Sequence, residues 1–471
     1  MHIAFLTLFL GLVSGRVPVE LAATGAPVTL VTPAIPAIVA VELLLDGAPA
    51  GRLAGPPFKG QIDFGKDLLP HHLVARGLDE RGEEVARAEQ WVNVPRPPAE
   101  IEAVPQPGPD GRTASVRLAF QSLTRETPAK VSATFDGSPL PVHGDRLALP
   151  PYSADSGHLL SIEAAYPSGL TARRDLAFGF GGEVSTDLTA VPVRLLGRAK
   201  LPPSPAALAG WFRAGGKALR PVAIEEGPAE LIVVRAPGAP PLLAEIGTAG
   251  LRARKSRSHG GGTLGLRAPQ PQELMAPDLD LRQLQLALSL GPAARVRFLH
   301  PTAQRYSGAG LPSELFPSSQ DFTPQDGGLY WLLAGVVQEV KGETRLADAV
   351  AVAGIQALTA NHRRAVLLVL DGTTADASRY DPAIVRRYLA AVHVPLYVWS
   401  LAKPPYTGAV AAWGKVENVS LLSRLENAFE SLADNLQRQR IVWLDGRHLP
   451  QAITLSPAAG KGVELAAEPE R

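Results

Sequence analysis

Val41-Glu-Leu-Leu-Leu-Asp46-Gly47 and Val131-Ser-Ala-Thr-Phe-Asp136-Gly137 open two stretches that continue in the same order. Each is a strand-like run ending in Asp-Gly, a dipeptide that supplies the positive φ angles of a tight hairpin. Each then reaches Pro-Pro-aromatic, Pro56-Pro57-Phe58 in one and Pro150-Pro151-Tyr152 in the other. A histidine heads the alternating run that follows (His72-Leu-Val-Ala75, His158-Leu-Leu-Ser161), and both stretches close on a glycine turn at Gly82 and Gly169. Alternation in short runs with turn signals about every ten residues predicts a β-sandwich. Two sandwiches are expected, over 17–97 and 99–182. Asn93-Val-Pro-Arg-Pro-Pro98 is the stiff linker between them, and Phe178-Gly-Phe-Gly-Gly182 a flexible one after the second. His72 and His158 read as strand openers that hydrogen-bond a neighbouring loop.

Working outward, the pattern changes from about residue 183. Leu281–Leu290, Tyr330–Val340 and Leu346–Thr359 have helical periodicity. Ala365-Val-Leu-Leu-Val-Leu370 and Leu396-Tyr-Val-Trp-Ser-Leu401 are continuous apolar runs of the kind found in buried parallel strands. Pro382–Val392 is a helix with Pro at its start, Leu421–Gln437 another, and Ile441–Leu444 the next strand. Strand alternating with helix predicts a doubly wound α/β sheet over 183–446. Residues 447–471, with Ile453-Thr-Leu-Ser456 and Val463-Glu-Leu465, are expected to add edge strands and a tail.

At 471 residues, about three domains are expected. The 45 glycines and 44 prolines follow no collagen period and fit many turns between short strands. A net charge of +1 offers no global field for nucleic acid or an anionic membrane, so neither is an expected partner. The chain has no cysteine, which removes disulfides, Cys-ligated zinc and Cys nucleophiles. The apolar run Ile3–Val13, followed by Ser14-Gly15-Arg16, has the length of a signal peptide and is too short to span a bilayer. A cleaved leader over 1–15, an exported protein (periplasmic or secreted) and no membrane span after cleavage are expected.

The repeated pattern resembles bacterial Ig-like domains; Ala75, Asp79 and Gly82 carry the resemblance in the first copy, and Tyr166-Pro167 departs from it in the second. The order of elements over 220–446, with AVLLVL followed by Asp371-Gly372 and a closing Gln439-Arg-Ile-Val-Trp-Leu-Asp-Gly446, resembles a von Willebrand factor A domain. More narrowly, it resembles the bacterial VWFA-related exported proteins. That resemblance implies a divalent cation, Mg or Mn, held by oxygen ligands at the carboxyl ends of the strands. The ligand pattern is mostly gone. Arg235, Pro237 and Ala239 stand where the family has Asp, Ser and Ser, and Asp326-Gly-Gly-Leu329 stands where it has Thr. Asp371 alone matches. No metal is therefore expected, the alternative being a rebuilt site on Asp326 and Asp371. Arg235 is placed to pair with Asp371 in the cation's stead.

The remaining motifs are weak. His259-Gly-Gly-Gly262 copies a lipase oxyanion loop, but no Gly-x-Ser-x-Gly elbow accompanies it. Gly215-Gly216-Lys217 lacks the spacing of a P-loop. Arg252, Arg254, Lys255 and Arg257 form the densest basic run, without the interleaved aromatics of a single-strand nucleic-acid surface. The expected function is an extracytoplasmic protein–protein interaction or assembly protein, not an enzyme. It would bind through the loops 235–262, 303–328 and 371–381, with Arg235, Arg252, Arg254, Lys255, Arg257, Asp326 and Asp371 as contacts. The alternatives are a metal-dependent adhesion protein and a hydrolase using Asp371, Asp326 or His259.

Overall fold

The computed structural model describes residues 2–5, 16–24, 38–94, 99–239, 242, 290, 294–306, 313–323, 332 and 342–467, apart from 56, 110–111, 123–124, 154–155, 168–169, 180–182, 238, 320 and 372–374. The chain divides into two compact units, Met1–Arg96 with Leu449–Ala452, and Pro97–His448 with Ile453–Glu468. No helix among the described residues is long and apolar enough to cross a membrane.

In the first unit, a four-stranded antiparallel sheet runs in the order Ala48–Ala54, Ala40–Leu45, His71–Leu78, Glu84–Val92. A three-stranded sheet joins His2–Phe5, Arg16–Thr24 and Phe58–Asp63. Val41, Leu43, Leu73 and Ala75 from one sheet and Phe58 and Ile62 from the other share a single apolar core. Asp46 and Gly47 take φ of 54° and 82°, the left-handed pair the hairpin requires. His2–Phe5, inside the stretch expected to be a leader, pairs antiparallel with Leu21–Thr24.

The second unit begins with another sandwich. Lys130–Phe135, His158–Ala165 and Thr171–Gly179 lie side by side in a five-stranded sheet, opposite the sheet of Ala99–Pro107, Thr113–Ser122 and Arg146–Ala148. Leu160, Ile162, Ala164, Leu176 and Phe178 point into the core between them. Because side chains alternate along a strand, Leu159, Ser161 and Glu163 are left on the outer face.

That outer face packs on an antiparallel sheet ordered Pro221–Glu225, Gln439–Asp445, Leu188–Leu195, Val463–Leu465. Gln439–Asp445 is central and covered on both sides. Ile441 and Trp443 meet Leu159 and Ala177 of the sandwich, while Val442 and Leu444 join Val191, Val193, Phe212 and Ile453 in a separate core. Beside this lies a parallel sheet ordered Ala294–Leu299, Ala229–Arg235, Arg363–Leu370, Leu396–Ser400, Glu417–Asn418. Every residue of Arg363–Leu370 is buried. The helix Leu346–Thr359 packs on its two central strands. The helix Pro382–Ala391 starts at a proline, with the Asp381 carboxylate accepting from Ala383 N at 2.7 Å.

The doubly wound A-like domain expected over 183–446 is not the architecture found. Among the described residues strand outweighs helix, 46% against 17%, and most sheets are sandwich-like. The five parallel strands form one sheet among several. The segments 188–225 and 439–465, expected to belong to or border the α/β layer, fold instead as antiparallel sheets. The physical reason lies in Ile-Val-Trp-Leu. A continuous apolar run reports burial on both faces, which parallel strands share with a central antiparallel strand sandwiched between two cores. The helical stretches 281–290 and 330–340 lie outside the described residues, apart from Leu290 and Leu332.

Candidate functional site

Charged side chains gather where the outer face of the second sandwich meets the amino ends of the parallel strands. Register places three cross-strand pairs on that face: Leu159 opposite Ala177, Ser161 opposite Asp175, and Glu163 opposite Arg173. The apolar pair is buried against Ile441 and Trp443, and the polar pairs extend the contact.

Arg173 is the hub, with a side chain only 3% exposed. Its Nη2 donates to Asp175 Oδ1 at 2.8 Å and to Glu225 Oε2 at 2.8 Å, and its Nε donates to Asp175 at 3.0 Å. Ser161 Oγ donates to the same Asp175 at 2.6 Å. Trp443 Nε1 donates to Glu225 at 3.2 Å, and the indole lies under the Arg173 guanidinium at 5.7 Å. One arginine thus ties the sandwich (Asp175) to the antiparallel sheet (Glu225, Trp443).

Glu163 continues the network toward the parallel sheet. Its Oε2 accepts from Arg295 Nη2 at 3.0 Å, and its Oε1 lies 2.9 Å from His362 Nε2. Arg295 stands at the start of its strand, opposite Glu230 at the start of the next. His362 immediately precedes Arg363–Leu370. Its Nδ1 faces Glu230 Oε2 at 3.8 Å, and Arg297 Nη2 faces Glu230 Oε1 at 3.9 Å. Arg297 Nε donates to Asp321 at 2.7 Å.

Burial opposes charge on Glu163, but the hydrogen bond to His362 and the fields of His362, Arg295 and Arg173 outweigh it and hold the carboxyl far below the usual range. Burial opposes the Arg173 charge too, and Asp175, Glu225 and Glu163 more than restore it. Glu230 is wholly buried, which works against ionisation; His362 and Arg297 prevail and depress it as well. Two cavities open along this seam and share Ser132, Glu163, Arg173 and Arg295 as walls. The larger, of about 600 Å³, also meets Asp136, Glu225 and Glu226. The smaller, of about 280 Å³, reaches Glu230, Arg297, Asp321 and His362.

The residues expected from sequence lie at the opposite, carboxyl end of the parallel strands. Arg235 ends its strand in register with Val369, and Asp371 follows Leu370. The Arg235 guanidinium donates to Ala239 O at 2.9 Å, and burial pushes its pKa down to about 10. Arg252, Arg254, Lys255, Arg257, His259 and Asp326 lie outside the described residues. Among the described residues no three His, Asp or Glu side chains converge as a cation site. Nearby, the amino end of the helix Leu346–Thr359 is met by the chain's own carboxylate: Asp376 accepts from Leu346 N at 2.9 Å and Ala347 N at 3.2 Å.

Sequence reasoning missed the whole seam. One signal was present: Glu230, Arg295 and Arg297 sit in the opening turns of otherwise apolar strands, Ala-Glu-Leu-Ile-Val-Val and Ala-Arg-Val-Arg-Phe-Leu. Such charges need partners, and their placement marks the end where the partners lie.

No protein-family model matches the chain, and no curated protein matches it. Among solved structures, it is similar to the fibronectin(III)-like modules of Clostridium thermocellum CbhA, at 11% identity over 38% of this chain and 93% of that one, with a TM-score of 0.15. It is also similar to the central fibronectin-III array of RIM-binding protein (9% identity, 45% and 81% covered, TM-score 0.19). A third similarity is to the human COPII-coat protein Sec24c (9% identity, 50% of this chain and 43% of that one, TM-score 0.23). At TM-scores this low, none of these likenesses bears on fold or function.

Proposed function

We propose that the chain is an exported protein–protein interaction or assembly protein whose receiving surface is the charged seam of the second unit. The observation that carries this is the larger cavity, about 600 Å³, whose walls are fixed by the Arg173 network. A cleft with charges already locked in place gives a partner orientation and specificity at little ordering cost. The electrostatics favour binding over acid catalysis. A general acid at neutral pH needs a raised carboxyl pKa, and Glu163 and Glu230 are driven the other way. Export rests on the apolar run at residues 3–13.

The test uses the full chain as bait in the exported fraction of its own organism, beside a Glu226→Lys variant. Glu226 lines the cavity with a mostly exposed side chain, so its reversal changes the rim and spares the core. A partner captured by the wild type, released by salt and reduced at least fivefold by the variant is the expected result. Equal capture by both chains, or none, overturns the assignment to this surface.

A further inference from the structure

The three-stranded sheet of the second sandwich turns one face to the core and the other to solvent. Val116, Leu118 and Leu147 fill the core, so Arg117 and Arg146 beside them project outward, and both are exposed. Register sets these two arginines directly opposite each other on neighbouring antiparallel strands. An antiparallel bridge then places the exposed His143 opposite Arg146, with His143 N donating to Arg146 O at 3.0 Å and Arg146 N to His143 O at 3.1 Å. Paired residues of such a ladder share a face, so Arg117, Arg146 and His143 form one row across the sheet.

Like charges directly opposite on a sheet are destabilising. On the first sandwich such arginines are compensated: Arg76 holds Glu42 and Glu84, and Arg87 holds Glu84 and Glu89. In this row no side chain makes a hydrogen bond or an ion pair among the described residues. Glu102, one register step along on the next strand, and Asp145, next to Arg146 in the chain, pair with neither arginine. Ser115 and Ala119 flank Arg117 on the same face and Ala148 follows Arg146, so only small side chains border the two guanidiniums along their strands.

These surroundings narrow the partner. Guanidinium forks take carboxylates and phosphates through paired hydrogen bonds. No aromatic side chain borders the row to stack a base, which argues against a nucleic acid. The row crosses strands about 4.8 Å apart and so covers about 10 Å. A single small oxyanion reaches part of it, whereas carboxylates on alternate residues of an extended segment recur about every 7 Å and follow its whole length.

We infer that this outer face, along Arg117, Arg146 and His143, docks an acidic extended segment of a protein partner. The surface lies on the sheet opposite the one that forms the seam, and it stands or falls without the seam.

Calorimetric titration of the full chain at low ionic strength tests it with three probes: acetyl-Glu-Gly-Glu-Gly-Glu-amide, its glutamine analogue, and inorganic tripolyphosphate. Saturable binding of the glutamyl peptide is expected, at least tenfold tighter than the glutamine analogue. It should weaken at least fivefold in the double variant Arg117→Gln, Arg146→Gln, and fade as salt rises from about 20 to about 500 mM. Glu226→Lys, at the seam, should leave it unchanged. Both arginines are exposed, so the double variant keeps the core, and its urea midpoint at low salt should exceed that of the wild type because the repulsion is gone. A midpoint that does not rise removes the reason for a missing partner and overturns the inference. So does a glutamyl peptide that binds no tighter than its analogue, or that binds the double variant equally well. Tripolyphosphate binding more than tenfold tighter than the peptide would give the row to phosphate and overturn the acidic-segment assignment.

Discussion

The two sandwiches put corresponding strands to opposite uses. Asp46 accepts from His72 N at 2.8 Å and faces His71 Nδ1 at 2.8 Å; Asp136 accepts from Leu159 N at 2.9 Å and faces His158 Nδ1 at 2.6 Å. His71, one residue before the histidine the sequence repeat suggests, is thus the counterpart of His158. With that register, His72, Val74 and Arg76 on the outer face of one sandwich match Leu159, Ser161 and Glu163 on the other. In the first unit the face carries a solvated lattice. His72 stacks on Trp91 at 4.5 Å, and Arg76 pairs with Glu42 at 2.9 Å and Glu84 at 2.6 Å. In the second, the same positions feed the buried Arg173 network. One backbone plan therefore supports an exposed charge lattice or an interface, and the choice resides in three alternate residues per strand.

The largest expected effect comes from breaking the buried network. Arg173→Met leaves Asp175 and Glu225 as uncompensated buried charges and should cost about 3–5 kcal/mol, read from urea unfolding of the second unit's transition. Acid comes next. Glu163 and Glu230 ionise more readily in the folded chain than at the unfolded value of about 4.3, so their contribution is complete above that pH and drains away as pH falls below it. A stability–pH profile of Glu163→Gln should be flatter on that acid limb; an unchanged slope would show that the limb arises elsewhere.

Asp46→Ala and Asp136→Ala each remove a strand-opening acceptor, and each should cost about 1–2 kcal/mol in its own unit. Near-equal losses would confirm that these two positions, unlike the outer faces, do the same work in both sandwiches. The smallest effect belongs to Arg76→Ala, below about 1 kcal/mol and fading with added salt, because its pairs are solvated. A loss as large as that of Arg173→Met would erase the distinction between lattice and interface.

The sandwiches were legible because Asp-Gly turns and two-residue alternation are local signals. Arg363–Leu370 and Pro382–Ala391 were legible for the same reason, through an unbroken apolar run and an N1 proline. The sheet to which Gln439–Asp445 belongs was not. Burial on two faces is written in the residues, but the identity of the covering layers depends on Leu159 and Val191, far away in the chain. The seam was hidden likewise. Glu163 looks like an ordinary solvent-side residue of an alternating strand until Arg295 and His362 are brought to it.

Gln439–Asp445 also fixes the order of assembly. It lies between Leu188–Leu195 and Pro221–Glu225, and its end is tied by Asp445 to Ser185, 260 positions earlier. During synthesis those two early strands emerge with a vacant lane between them, and more than two hundred further residues leave the ribosome before it is filled. The intervening parallel sheet can condense locally, but the antiparallel sheet closes last, across a long loop. A nascent chain held short of residue 439 would thus leave both edges of Leu188–Leu195 and the facing edge of Pro221–Glu225 unpaired at once, a template for pairing with other chains.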